Sequence, residues 1–97
     1  MIISNEKILA GTILGFEMEF YSVKSRAEIA KELGAILKKK ILVCDVYHSE
    51  MNELDAKLFR IEPDFSGGIR MNELITPPME YYESIACMYK ILGYISL

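Results

Sequence analysis

At 97 residues the chain is long enough for one small domain, with a single core of roughly three or four strands and two helices. Hydrophobic residues make up 52% and charged residues 26%, which excludes a disordered chain. A net charge of −3, with no basic cluster beyond Lys38-Lys39-Lys40, excludes a phosphate-tracking nucleic-acid surface and suits metal ions, or an anionic ligand that metals accompany.

The N-terminal stretch MIISNEKILAGTILG contains Glu6 and Lys7 and has no basic segment followed by a long apolar run, so it reads as a poor signal peptide. No uncharged stretch approaches the roughly 20 residues that span a bilayer, and no membrane association is expected. Cys44 and Cys87 are too few for a disulfide framework and lack metal-ligand spacing. They read as free thiols, and the expected location is the reducing cytoplasm.

A first strand is expected over residues 12–22. Leu14, Phe16, Met18 and Phe20 share one parity, so Glu17 and Glu19 share the other face with Cα atoms about 6.5–7 Å apart. Like charges at that spacing repel unless water, a cation or a basic ligand lies between them. Ser25-Arg26-Ala27-Glu28 then has the pattern of a capping box, in which Ser and Glu side chains satisfy each other's backbone N–H groups. Behind it Ile29, Ala30, Leu33, Ile36 and Leu37 recur at helical spacing, and Lys38–Lys40 favour the negative end of the helix dipole.

Residues 41–47 read as a second strand, and the polar stretch 48–57 as a loop or hairpin connection that places the single histidine, His48, at a rim. In 58–65, Phe59, Ile61 and Phe65 alternate with Arg60, Glu62 and Asp64; Ser66-Gly67-Gly68 supplies a turn, and 69–76 returns as the partner strand of a hairpin. Glu73 shares its face with Met71 and Ile75, and a carboxylate among apolar neighbours needs a partner, a cation or a proton. Pro77-Pro78 is expected to stop that strand and open the last helix, with Tyr82, Ile85, Ala86, Tyr89, Leu92 and Ile95 or Ser96 as its apolar stripe. The closing Ile-Leu-Gly-Tyr-Ile-Ser-Leu has no polar tail; it is expected to dock within the domain, to meet another chain or to continue into further sequence.

These elements give an α+β fold in the order β-α-β-β-β-α: an antiparallel sheet of about four strands with both helices packed on one face. The four carboxylates Glu17, Glu19, Asp64 and Glu73 then stand on predicted strands. On spacing alone they are either a solvated acidic sheet face or part of a site for a hard divalent cation, which takes oxygen ligands and keeps substrate phosphates.

Three short blocks in order, GFEMEF, EPDFS and NELITPP, resemble the N-terminal part of the glutamate–cysteine ligase-like superfamily of carboxylate–amine ligases, most closely its amidoligase branch. Gly15, Glu17 and Glu19 match a first-strand G-[hydrophobic]-E-x-E pattern; Asp64, Phe65 and Ser66 match D-[FS]-[SA]; Glu73 to Pro77 match E-[hydrophobic]-[IV]-[ST]-P. The resemblance covers about residues 12–92. It implies half of a glutamine synthetase/glutamate–cysteine ligase-like fold and ATP-dependent amide bond formation through an acyl phosphate, with ATP and an amino-acid or peptide-like substrate. It further implies Mg²⁺ or Mn²⁺ held with ATP by Glu17, Glu19, Asp64 and Glu73, and a phosphate or carboxylate contact from Arg70. Complete members are much longer, and their later segments supply further metal ligands and basic residues that grip ATP. The chain is accordingly expected to be an N-terminal piece, to complete its site with another chain as a homo-oligomer or with a companion, or to bind without catalysing. The alternative is a small non-catalytic α+β interaction or assembly module, its acids solvated and its apolar surface meeting a protein.

Overall fold

The computed structural model describes residues 13–44, 57–64 and 71–96. Among these, six strands and two helices follow in order: β1 (Ile13–Leu14), β2 (Glu17–Tyr21), α1 (Arg26–Leu37), β3 (Ile41–Val43), β4 (Phe59–Pro63), β5 (Met71–Ile75), β6 (Met79–Glu80) and α2 (Tyr81–Ile95). The architecture is α+β with two sheets: a four-stranded one in the order β2-β5-β4-β3, and a short β1–β6 ladder.

Local chemistry sets the limits of α1. Ser25 Oγ accepts from the Glu28 N–H at 3.1 Å and the Glu28 carboxylate accepts from the Ser25 N–H at 3.5 Å, so the expected capping box is formed. At the other end Lys38 adopts a left-handed conformation (φ 57°, ψ 42°), and the N–H groups of Lys38 and Lys39 both turn back to the Gly34 carbonyl. A Cβ on Gly34 would lie 2.8 Å from the Lys39 carbonyl oxygen, which explains a glycine inside the last turn. The helix buries Ile29, Leu33 and Leu37, one residue per turn, while Ile36 stays exposed.

The first strand is two strands. β2 pairs antiparallel with β5 (Glu17↔Ile75 to Tyr21↔Met71), whereas β1 pairs with β6 (Ile13↔Glu80, Leu14↔Met79). Between the ladders Gly15 stands against two residues, Pro77 and Pro78, the two-against-one count of a bulge. A Cβ on Gly15 would lie 3.1 Å from the Thr76 carbonyl oxygen, a close approach that favours glycine. Neither proline can donate to a ladder, so pairing breaks here and resumes at Met79. The prolines therefore do not open the last helix. Glu80 does: its carboxylate accepts from the N–H groups of Tyr82 (3.1 Å) and Glu83 (3.3 Å).

β4 and β5 form the expected antiparallel pair, from Arg60↔Ile75 to Pro63↔Asn72. The expectation of an antiparallel sheet is corrected at its edge, where β3 runs parallel to β4 (Ile41↔Phe59, Val43↔Ile61) and the sheet is mixed. A parallel pair needs a connection of about a dozen residues or more. The segment 44–58 between these strands is long enough, although it reads as a simple hairpin link when only its polarity is weighed.

Both helices share one core with Phe20, Phe59, Ile61 and Leu74, and Phe16 and Met18 pack at its margin. Ile29, Leu33, Ile61, Leu74 and Ile91 are fully buried, each contributing about 1.5–3 kcal/mol relative to exposure. The apolar stripe expected on α2 is corrected. The inward residues are Ser84, Cys87 and Ile91, with Tyr94 and Ile95 beside them, while Tyr82, Tyr89 and Leu92 face outward. This helix is apolar almost all round, so spacing alone defines two stripes; small Ser84 and Cys87 let its backbone approach the core. Tyr94 fixes the far end of α2 by donating its hydroxyl to Glu32 Oε1 at 2.8 Å, where Lys24 Nζ also binds at 2.6 Å. Burial and the Glu32 carboxylate raise the Tyr94 hydroxyl to about 12. No helix among the described residues is long and apolar enough to cross a membrane.

Candidate carboxylate site

The sheet face away from the helices is a grid of side chains set by strand register. β5 lies between β2 and β4, and residues directly opposite one another share a face. One row is Glu17–Ile75–Arg60 and the next is Glu19–Glu73–Glu62. Tyr21 and Met71 begin a third, which Asp64 completes through its N–H bond to the Met71 carbonyl at 3.0 Å. Five carboxylates and one guanidinium thus occupy three adjacent strands, and Arg60 is the only Lys or Arg that β2, β4 and β5 carry.

Burial makes this face unlike a solvated acidic surface. Glu62 is 2% exposed, Asp64 3% and Glu73 8%, whereas Glu17 and Glu19 on the edge strand remain exposed. Neighbouring strands lie about 4.8 Å apart, so three glutamates abreast cannot all carry charge cheaply. Protons relieve the conflict. Burial pushes the Glu73 carboxyl up to about 7, helped by a hydrogen bond to Glu17 and by the charges of Glu17, Glu62 and Asp64. A hydrogen bond to Asp64 and the Asp64 charge raise Glu19 as well, with smaller contributions from burial and from Glu17. Two hydrogen-bonded carboxyl pairs result, Glu73 with Glu17 and Glu19 with Asp64.

Arg60 Nε lies 3.5 Å from Glu62 Oε2, too far for a strong hydrogen bond, and that buried nitrogen has no hydrogen-bond partner among the described residues. A cation beside a buried carboxylate, holding back a donor, is a group able to receive an anion.

The four carboxylates expected from the sequence, Glu17, Glu19, Asp64 and Glu73, all stand on this face. Glu62 and Arg60 join them; the alternation Arg60-Ile61-Glu62-Pro63-Asp64 carries the signal for both, because they have the parity of Asp64. Arg70, Phe65, Ser66, His48 and Leu97 lie outside the described residues. Among the described residues, no three His, Cys, Asp or Glu side chains are gathered as a ready-made metal ligand set. The donors are nevertheless all oxygen, the chemistry a hard divalent cation takes.

Cys44 and Cys87 are free thiols, both buried. Burial raises the Cys87 thiol further, which keeps it inert. No protein-family model matches the chain, and neither curated proteins nor solved structures give a significant match.

Proposed function

We propose that the chain carries the acidic half of an ATP-dependent carboxylate–amine ligase site of the amidoligase kind, with the β2-β5-β4 face as its floor. The observation that carries this reading is the row Glu19–Glu73–Glu62, flanked by Glu17 and Asp64 and largely withdrawn from water. Such a cluster is costly in any folded protein unless protons or cations fill it. Glu17, Glu19, Asp64 and Glu73 are the residues proposed to hold Mg²⁺ or Mn²⁺ together with ATP, Glu62 adding a fifth carboxylate. When bound, the metal neutralises and positions the phosphates, on which phosphoryl transfer depends.

The chain's own residues do the rest of what is proposed here. Arg60, on the same face, takes the role of phosphate or carboxylate contact that the resemblance assigns to Arg70. The Gly15/Thr76-Pro77 crossing supports the resemblance physically, because it joins the first and third sequence blocks in space: Phe16 N–H donates to Thr76 Oγ1 at 3.0 Å, and Thr76 N–H to the Phe16 carbonyl at 3.0 Å. Residues that grip the rest of ATP and the amine come, in this reading, from further sequence or from another chain.

Thermal unfolding at pH 8 with Mg²⁺, Mn²⁺ and ATP tests the proposal. A saturable rise in Tm with either metal, larger with ATP, is expected; occupancy at about 100 times Kd corresponds to about 2.7 kcal/mol. Glu17→Gln should remove most of that gain while slightly stabilising the metal-free protein. Equal responses to Mg²⁺ and Na⁺ at matched ionic strength, with no effect of ATP, would leave the non-catalytic assembly module, which the exposed tyrosines of α2 favour.

A further inference from the structure

The outer face of α2 holds an apolar pattern that the described residues of its own chain leave exposed. Tyr82, Tyr89 and Leu92 are 47%, 73% and 45% exposed, although the same helix buries Ser84, Cys87 and Ile91 on the opposite side. Tyr82, Ala86, Tyr89 and Gly93 recur at intervals of four, three and four residues, the spacing of a helix–helix seam. Large and small side chains alternate along it. Among the described residues Gly93 faces open space, since a Cβ there would meet none of their atoms within 4 Å. The Tyr82 ring is already held, edge-to-face on Tyr81 with centroids 5.3 Å apart and planes at 84°.

We propose that α2 pairs with α2 of a second copy of this chain, antiparallel, about a two-fold axis between residues 87 and 88. That axis sets Tyr82 of one copy on Gly93 of the other and, by the same operation, Tyr89 on Ala86. Each large ring meets a small residue, and the small residues let the helix backbones approach closely. Ile85 and Leu92, on one flank of the seam, face their counterparts across the axis as an apolar border. On the other flank stand Glu83 and Lys90, and antiparallel seams pair such flanking positions with each other. Glu83 of each copy therefore meets Lys90 of the other, twice per dimer. Glu83 is half-exposed and lies 3.6 Å from Lys39 of its own chain, so Lys90 of the second copy completes a short basic–acidic–basic arrangement.

The self-matching of sizes and of charges under one rotation commits this face to a second copy rather than to an unrelated protein, because an isologous interface needs one patch complementary to itself. The face is on the helix side of the molecule, so the inference stands independently of the carboxylate site.

Sedimentation equilibrium of the full chain from about 1 to about 500 µM tests it, since a two-helix interface below the standard size is expected to dissociate in the micromolar range. The expected result is a reversible monomer–dimer equilibrium. Tyr89→Glu and Gly93→Gln should each weaken it by about tenfold or more while leaving the circular dichroism of the monomer intact. Gly93→Gln fills the socket with a better helix former, so it decides the matter if Tyr89→Glu misfolds. Lys90→Glu should weaken the dimer, and the double exchange Glu83→Lys with Lys90→Glu should restore it. A monomer across the whole range, or a dimer indifferent to both seam variants, overturns the proposal; a dimer sensitive to the seam but indifferent to Lys90→Glu overturns the antiparallel pairing.

Discussion

Glu73 stands directly opposite Glu19 across the β2–β5 ladder, and directly opposite Glu62 across the β5–β4 ladder. Like charges in that relation destabilise a sheet. Here β5 is the central of the three strands, so its glutamate bears repulsion from both sides and is the first to hold a proton at neutral pH.

That proton gives the protein a pH-dependent stability. The folded Glu73 carboxyl titrates near 7 against an ordinary value of 4.5, so the folded state binds the proton more tightly than the unfolded chain. The resulting stabilisation is fully present below about pH 4.5 and is lost as pH rises through about 7; Glu19, raised in the same direction, adds to it. Urea unfolding between pH 5 and pH 8, without divalent cations, should show stability falling with pH, by about 1–2 kcal/mol from Glu73 once solvent screening is counted. Glu73→Gln keeps a donor for Glu17 and carries no charge, so it should flatten the profile and stabilise the protein at pH 8. A wild-type profile that is flat from pH 5 to 8 would refute the buried row.

The junction between the two ladders rests on Thr76. Its hydroxyl accepts from Phe16 N–H at 3.0 Å and lies 3.4 Å from the Phe16 carbonyl, at a residue that is 5% exposed. Thr76→Val keeps the shape and strands that N–H, which should cost about 1–3 kcal/mol. Gly15→Ala presses a methyl group to 3.1 Å from the Thr76 carbonyl and should destabilise by about 1 kcal/mol. Thr76→Ser should recover most of the loss in denaturant midpoint. If Thr76→Val matches the wild type, the hydroxyl does not hold the junction.

The orientation of α2 can be read from two truncations. Ile91 is fully buried and Ile91→Ala should cost about 2–5 kcal/mol, whereas Tyr89→Ala should stay within about 0.5 kcal/mol at concentrations that keep the chain monomeric. Denaturant titrations of both, at a concentration about tenfold or more below the dimer dissociation constant, settle which stripe faces the core. The reverse order of costs would restore the orientation suggested by apolar spacing alone.

What the sequence determined by itself was local. The capping box at Ser25 and Glu28 lies within one turn and needs no tertiary help, so the start of α1 was legible. Strand parity has a period of two, which put Glu17 with Glu19, and Arg60 with Glu62 and Asp64, before any pairing was known. The β4–β5 pairing was likewise visible in two alternating runs on either side of Ser66-Gly67-Gly68 in the sequence.

Tertiary structure decided the rest. Which carboxylates meet depends on lateral register, and nothing in β2 alone says that Glu19 will face Glu73, or that Glu62 lies beyond it. The parallel edge strand β3 follows from the path between sequence-distant segments, and local polarity does not encode that path. The phase of α2 was undetermined because two of its faces are apolar; packing chose the stripe with Ser84 and Cys87, where small side chains allow the backbone close to the core, and turned the tyrosines outward. Pairwise geometry across the sheet, not composition, gathers five separate acids into one cluster.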